Sequence, residues 1–203
     1  MKKFKFICRL LLFFLLSGII VLTGIYVYAF FSPKLELKNM GKVFIYDYEN
    51  NLVYQGSGSN DWISLEDISP NLINAVISVE DKNFYNHHGF DFLRIGKAFL
   101  TNIQKNTRIG ASTISQQYIK NMFLTFDQTW ARKIEEAFLT VELEVHYSKD
   151  EILEGYLNTI NYGEGNYGIE DASHYYFNKS SKDLTLEEAL MLAGIPKAPS
   201  IYN

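Results

Sequence analysis

No charged residue occurs between Leu10 and Phe31, and only Ser17, Gly18, Thr23 and Gly24 interrupt that aliphatic and aromatic run. At about 1.5 Å per residue such a helix is about 33 Å long, enough to cross a hydrocarbon core of about 30 Å. Ser32-Pro33 ends the run and the pattern changes. Val43-Phe44-Ile45-Tyr46 and Leu52-Val53-Tyr54 flank the turn-prone Glu49-Asn50-Asn51 and predict a small hairpin. Gly56-Ser57-Gly58-Ser59-Asn60 reads as a loop. From there the periodicity is helical. Ser69-Pro70 opens a helix that ends at Glu80. Asp91 caps a helix from Phe92 to Gln104, Ser112-Thr113 opens one through Asn121, and Thr129 caps a long one from Trp130 to Tyr147. Ser148-Lys149-Asp150-Glu151 and Thr185-Leu186-Glu187-Glu188 both have capping-box spacing. The first box starts a helix from Lys149 to Asn158, and the helix after the second stops near Gly194 and Pro196. Gly163, Gly165 and Gly168 make a turn before a further helix, Ile169 to Phe177. The expected architecture is mainly α on a membrane stalk: a tail over 1–9, an anchor over 10–31, a linker and hairpin over 32–60, and a domain over 61–203.

The long helix has two apolar sides. Trp130, Ile134, Ala137, Phe138, Val141 and Val145 form a broad face, and Leu139 and Leu143 a narrower stripe nearly opposite. Arg132 and Glu136, one turn apart, lie along the narrower stripe, which predicts a partly buried Glu136 paired with Arg132. Helix geometry leaves a structural and a functional ion pair equally open.

Charge refines this picture. Apart from Lys2, Lys3, Lys5 and Arg9, the chain carries 15 basic and 23 acidic residues, a net of −8. An acidic body argues against nucleic-acid binding, and an anionic ligand must be held by local cations. The four N-terminal cations put the N-terminus in the cytoplasm and the body outside. A retained anchor is favoured over a cleaved signal peptide, because the run is long and Val27-Tyr28-Ala29 is a poor cleavage site. The single cysteine, Cys8, excludes an internal disulfide framework and a cysteine-rich metal site.

Two stretches carry candidate chemistry. Glu80-Asp81 closes an apolar helix, where an unpaired carboxylate is costly to bury. Taken alone, the pair reads more simply as a solvated helix end. Gly110-Ala111-Ser112-Thr113 leads a glycine turn into a helix start with hydroxyls, the arrangement that offers free N–H groups to an anion. Gln117 and Lys120 fall one and two turns on, and Arg108, Lys120 and Arg132 can supply the cations that a phosphate needs. Simple capping by Ser112-Thr113 is the competing reading.

Taken in order, these stretches resemble the glycosyltransferase domain that polymerises peptidoglycan, found in monofunctional transglycosylases and at the N-terminus of class A penicillin-binding proteins. The resemblance runs from about Val43 to Asn203. Glu80-Asp81-x-x-Phe84-x-x-His87-x-Gly89-x-Asp91 resembles the first family motif, and Gly110-x-Ser112-Thr113-Ile114-x-Gln116-Gln117-x-x-Lys120-Asn121 the second. Arg132-Lys133-x-x-Glu136 resembles the third, and Ile152-Leu153-Glu154-x-Tyr156-Leu157-Asn158 through Gly168-Ile169 the fourth. Residues 184–199 are similar to the fifth. Thr140 stands where the family usually has alanine.

The resemblance implies a lysozyme-like fold with a small jaw lobe near the membrane. It implies a donor glycan on a polyprenyl pyrophosphate and lipid II as acceptor, with inverting transfer to the GlcNAc 4-hydroxyl. By motif position Glu80 is the base, Asp81 supports it and Glu136 is a further catalytic carboxylate. Ser112, Thr113, Gln117, Lys120, Asn121, Arg132 and Arg108 become pyrophosphate or lipid II ligands; Phe84, His87 and Gly89 shape the loop that presents Glu80. No metal site is certain and no cofactor is required, although a divalent cation (Mg or Mn) can accompany the donor pyrophosphate. The expected setting is the plasma membrane, single-pass, beside other cell-wall synthesis proteins including transpeptidases. No Ser-x-x-Lys or Lys-Thr-Gly occurs, so these residues hold no transpeptidase motif. The chain stops soon after the fifth motif, where family members usually continue, which suggests either a very short monofunctional enzyme or a truncated one. A lysozyme-like or lytic glycan-cleaving enzyme is the first rival reading, and an inactive truncated membrane scaffold the second. The lytic reading does not need the hydroxyls and cations of the second and third motifs.

Overall fold

The structure is a computed structural model and describes residues 2–37, 44–55, 62–107, 109–124, 127 and 129–196. Val43, the loop at 56–60, Arg108, Phe126 and the end of the fifth motif therefore lie outside the described residues. The chain opens with helix α1 (Lys2–Phe31), of which Phe4–Phe31 is long and apolar enough to cross a membrane. Strands β1 (Phe44–Tyr46) and β2 (Leu52–Gln55) pair antiparallel as the expected hairpin, with an irregularity at Ile45/Tyr46. Among the described residues seven α-helices follow: α2 (Pro70–Glu80), α3 (Phe92–Lys105), α4 (Ile114–Phe123), α5 (Trp130–His146), α6 (Lys149–Thr159), α7 (Ile169–Phe177) and α8 (Leu186–Gly194). The protein is mainly helical.

Local chemistry explains most of the boundaries. Asp91 caps α3 by accepting the Arg94 N–H at 2.9 Å. Thr113, Ser148 and Thr185 each form a complete capping box, with Gln116, Glu151 and Glu188. Ser69 holds the N-cap position of α2, but its hydroxyl does not cap. It donates instead to the Leu184 carbonyl at 3.1 Å and ties α2 to the approach to α8.

The core lies between α2, α4, α6 and α8. Leu72, Val76, Tyr118, Leu153, Tyr156 and Leu192 are all buried in it. Helix α4 packs on both α5 and α6, and α2 runs along α8. The two apolar sides of α5 meet different neighbours. On α5 the narrow stripe faces the core: Leu143 is buried and Leu139 packs against the core, whereas Trp130 is 86% and Ile134 68% exposed. Farther along that broad face, Phe138 meets Tyr28 of α1 at a ring separation of 5.3 Å. The end of the apolar helix is thus docked on α5, with Ala29 fully buried. Ser32 Oγ lies 3.5 Å from His146 Nε2, Lys34 stands 4.0 Å over the Tyr147 ring, and the Tyr147 hydroxyl donates to the Leu35 carbonyl.

Candidate active site

Asp81 is fully buried and joins two segments that are far apart in the chain. Its Oδ2 accepts the backbone N–H of Ile114, the first residue of α4, at 3.0 Å, and the His87 ring N–H lies 3.0 Å from the same oxygen. A buried carboxylate at a helix N-terminus satisfies a free N–H and meets the positive end of the helix dipole. Arg94 adds a longer ion pair to Oδ1 at 3.8 Å. A second clasp runs alongside, where the buried Thr113 hydroxyl donates to the Gly89 carbonyl at 2.7 Å. Gly89 has φ +82, and a Cβ there would stand 2.7 Å from Thr140 Cγ2, so only glycine fits the turn beside α5. Phe84 is buried beneath this loop, edge-on to His87, with the Lys149 ammonium 4.5 Å from its ring centre.

Glu80, one residue earlier, lines a cleft of about 780 Å³ between the end of α2, α3 and the start of α4. Its Oε2 accepts from Gln117 Nε2 at 2.9 Å. Its Oε1 has no hydrogen-bond partner among the described residues. Lys82, Arg94, Lys97 and Ser112 line the same cleft. Arg94 also donates to the Glu80 carbonyl, which holds the cation beside the carboxylate turn. Asp91 stands at the cleft edge, and the Arg94 N–H, helped by the Asn83 amide, holds its carboxyl below the usual carboxylate range. Behind Glu80, burial pushes the phenols of Tyr156 and Tyr162 well above their ordinary value, and the Glu80 charge adds to the effect.

Glu136 is buried on α5. Arg132 Nη1 donates to its Oε2 at 2.8 Å, and Lys133 and Gln116 reach its Oε1. Gln116 in turn accepts the Thr113 N–H at 3.1 Å, so the second and third motifs are joined through one amide side chain. Lys120 and Asn121 sit half-buried in the last turn of α4 and are not among the cleft-lining residues.

The predicted residues therefore fall into two sets. Glu80, Ser112 and Gln117 share the cleft, while Asp81, Thr113, Arg132 and Glu136 form the hydrogen-bonded frame behind it. Arg94, Lys82 and Lys97 were missed as candidates, because their only sequence signal is charge on a short turn and on an otherwise apolar helix. Tyr156 was noticed within a motif but given no task. Among the described residues, no group of three or more His, Cys, Asp or Glu is placed to hold a metal ion. Asp81 and Glu136 have all four carboxylate oxygens engaged inside the protein.

A family model described as Transglycosylase matches residues 49–203. A biosynthetic peptidoglycan transglycosylase of Mannheimia succiniciproducens is 47% identical over 174 residues, 85% of this chain and 68% of that protein. A protein of the same name from Haemophilus influenzae strain PittEE is 42% identical over 95% of this chain and 78% of its own length. Penicillin-binding protein 2D of Bacillus subtilis is 46% identical over 86% of this chain, which spans 27% of that longer protein.

Proposed function

The chain belongs to the transglycosylase family, and we propose that it polymerises lipid II into peptidoglycan glycan strands at a membrane surface. The observation that carries this reading is the Glu80 carboxylate, held on one oxygen by Gln117 in a cleft lined by three cations. The acceptor's GlcNAc 4-hydroxyl is a weak nucleophile at neutral pH, so its proton must leave as the new bond forms. The Glu80 carboxylate takes that proton. The hydroxyl oxygen bonds to C1 of the donor MurNAc, the bond from C1 to the pyrophosphate oxygen breaks, and configuration at C1 inverts. The electron pair departs with the polyprenyl pyrophosphate, whose charge is met by Arg94, Lys82 and Lys97 and not by a proton donor. Ser112 supports that anion from the mouth of α4. A divalent cation, if one takes part, comes with the pyrophosphate, since Asp81 and Glu136 are already saturated.

Membrane attachment follows from the same reading. Helix α1 crosses the bilayer once with Lys2, Lys3, Lys5 and Arg9 in the cytoplasm, and the domain acts outside. Phe92, Leu93, Phe99, Leu100 and Ile103 remain exposed on α3, whose only buried residue is Ala98. An apolar surface of that kind beside the cleft suits a lipid-borne substrate. Met122, Phe123 and Leu124, which leave membrane contact and core packing equally open from sequence, pack against the core. Several relatives carry the name penicillin-binding protein, which supports work alongside transpeptidases during wall assembly.

The test is incubation of the purified chain in detergent with labelled lipid II. Wild type yields glycan polymer and Glu80→Gln, folded to the same unfolding midpoint, yields none. Polymer from Glu80→Gln would remove Glu80 as the base, and shortening of preformed strands would favour the lytic reading.

A further inference from the structure

Behind Glu80 stands a two-step relay that ends on α6. Gln117 Nε2 lies 2.9 Å from Glu80 Oε2, and Gln117 Oε1 lies 3.3 Å from the Tyr156 hydroxyl. The direction of both bonds is dictated by chemistry. An ionised carboxylate only accepts, so the amide must turn its N–H₂ toward Glu80. Its carbonyl then faces Tyr156, and the phenol, which can donate or accept, must donate. Flipping the amide would set carbonyl oxygen against carboxylate and hydroxyl lone pairs against an N–H₂ that has left its anion. Glu80 thus sets the orientation of the amide, and the Tyr156 hydroxyl holds its far end in place. We propose that Tyr156 is a positioning residue for the transfer reaction: its hydroxyl anchors the Gln117 amide against Glu80 Oε2 and so holds the carboxylate in one orientation at the cleft. This rests on Glu80 being the base.

Three observations support the assignment. Tyr156 is fully buried, so its hydroxyl has no solvent to exchange partners with. Its phenol is held well above its ordinary value by burial and by the Glu80 charge, so it stays a donor throughout the working pH range. The backbone is also built for close approach, since Gly155 lets α6 lie directly on the Tyr118 ring of α4, the helix that carries Gln117. The relay thus spans the contact between α4 and α6. The charges and phenols facing Glu80 are Asp81 and Lys82 on its own turn, Asp91, Arg94 and Lys97 at α3, and Tyr156 and Tyr162 behind it. Tyr156→Phe alters none of those charges and removes a single oxygen.

The test compares wild type, Tyr156→Phe, Gln117→Leu and the double variant in lipid II polymerisation across pH. Tyr156→Phe should lower kcat by about fivefold to tenfold with little change in KM, the loss expected for one hydrogen bond in a buried network. The acidic limb of its pH profile should move to higher pH, because a carboxylate that loses a hydrogen bond is easier to protonate. In the Gln117→Leu background the same change should cost less than about twofold, since the two residues act as one unit. Multiplicative losses in the double variant, or a Tyr156→Phe enzyme with unchanged kcat and acidic limb, would overturn the proposal. If Tyr156→Phe does not fold, Gln117→Leu, on the cleft surface, must show the same shift of the acidic limb, and an unshifted limb overturns the relay. Activity in Glu80→Gln is the separate result that would bring down the base assignment itself.

Discussion

Asp81 Oδ2 lies 3.0 Å from the backbone nitrogen of Ile114, and this bond attaches the turn that carries Glu80 to the first residue of the helix that carries Gln117. The residue after Glu80 is therefore the N-terminal clamp of the helix facing the cleft. Removing it leaves the Ile114 N–H unpaired and strands His87 in a buried place. Asp81→Ala should cost about 3 kcal/mol of stability, within the range for breaking a buried charged hydrogen bond. Asp81→Asn should cost less, because an amide oxygen still accepts the Ile114 N–H. Urea unfolding of both variants measures this, and an Asp81→Ala protein as stable as wild type would contradict it.

Gly89→Ala should destabilise the protein by about 2 kcal/mol, combining a positive φ with a methyl group forced onto Thr140. Thr140→Ala removes the nearest clashing atom but leaves the backbone strain and Glu144 Cγ at 3.2 Å. The double variant should thus recover part of the loss and not all of it. A double-mutant cycle on unfolding free energies that shows strict additivity would rule out the contact.

Tyr118 and Gly155 give a contrasting pair. The Tyr118 hydroxyl is buried without a hydrogen-bond partner among the described residues, so Tyr118→Phe should be neutral or slightly stabilising. Gly155→Ala places a methyl group 2.8 Å from Tyr118 Cε1 and closer still to the hydroxyl end of the ring. It should cost about 2 to 3 kcal/mol, and Tyr118→Phe should not rescue it, because the ring carbons remain in the way. Thermal unfolding of the three variants decides both points.

The lowered Asp91 carboxyl carries a pH signature. Its folded-state value lies below its unfolded one, so the ionised form stabilises the fold above the ordinary carboxylate range near pH ~4. That contribution fades as pH falls through the lowered value. Asp91→Ala should accordingly cost about 1 kcal/mol at pH 7, and the gap to wild type should narrow in acid, as pH falls through the lowered value. Denaturant melts at neutral pH and in acid check this; a gap that widens in acid would have the wrong sign.

Helix starts and stops were readable wherever a side chain within four residues makes the cap. Asp91, Thr113, Thr129, Ser148 and Thr185 all cap the helices they were expected to open. Ser69 did not, because its hydroxyl found the Leu184 carbonyl 115 residues away. The Arg132–Glu136 pair was legible for the same reason as the caps, being one turn apart on a single helix. The inner face of α5 was not. Two apolar sides predict packing on both, and the core and the end of α1 supply it, but area alone does not say which neighbour each side will meet.

Local chemistry along the chain thus suffices for the apolar anchor, the order of the helices and the presence of two carboxylates at the end of α2. Their division of labour was settled by packing. Glu80 faces the cleft and Asp81 turns inward only because α4 brings Ile114 and Gln117, 33 and 37 residues away in the chain, against that turn. Tyr156 gains its place in the relay because Gly155 lets α6 close on α4. Bonds between segments that distant depend on how helices pack, and no spacing within a single helix encodes them.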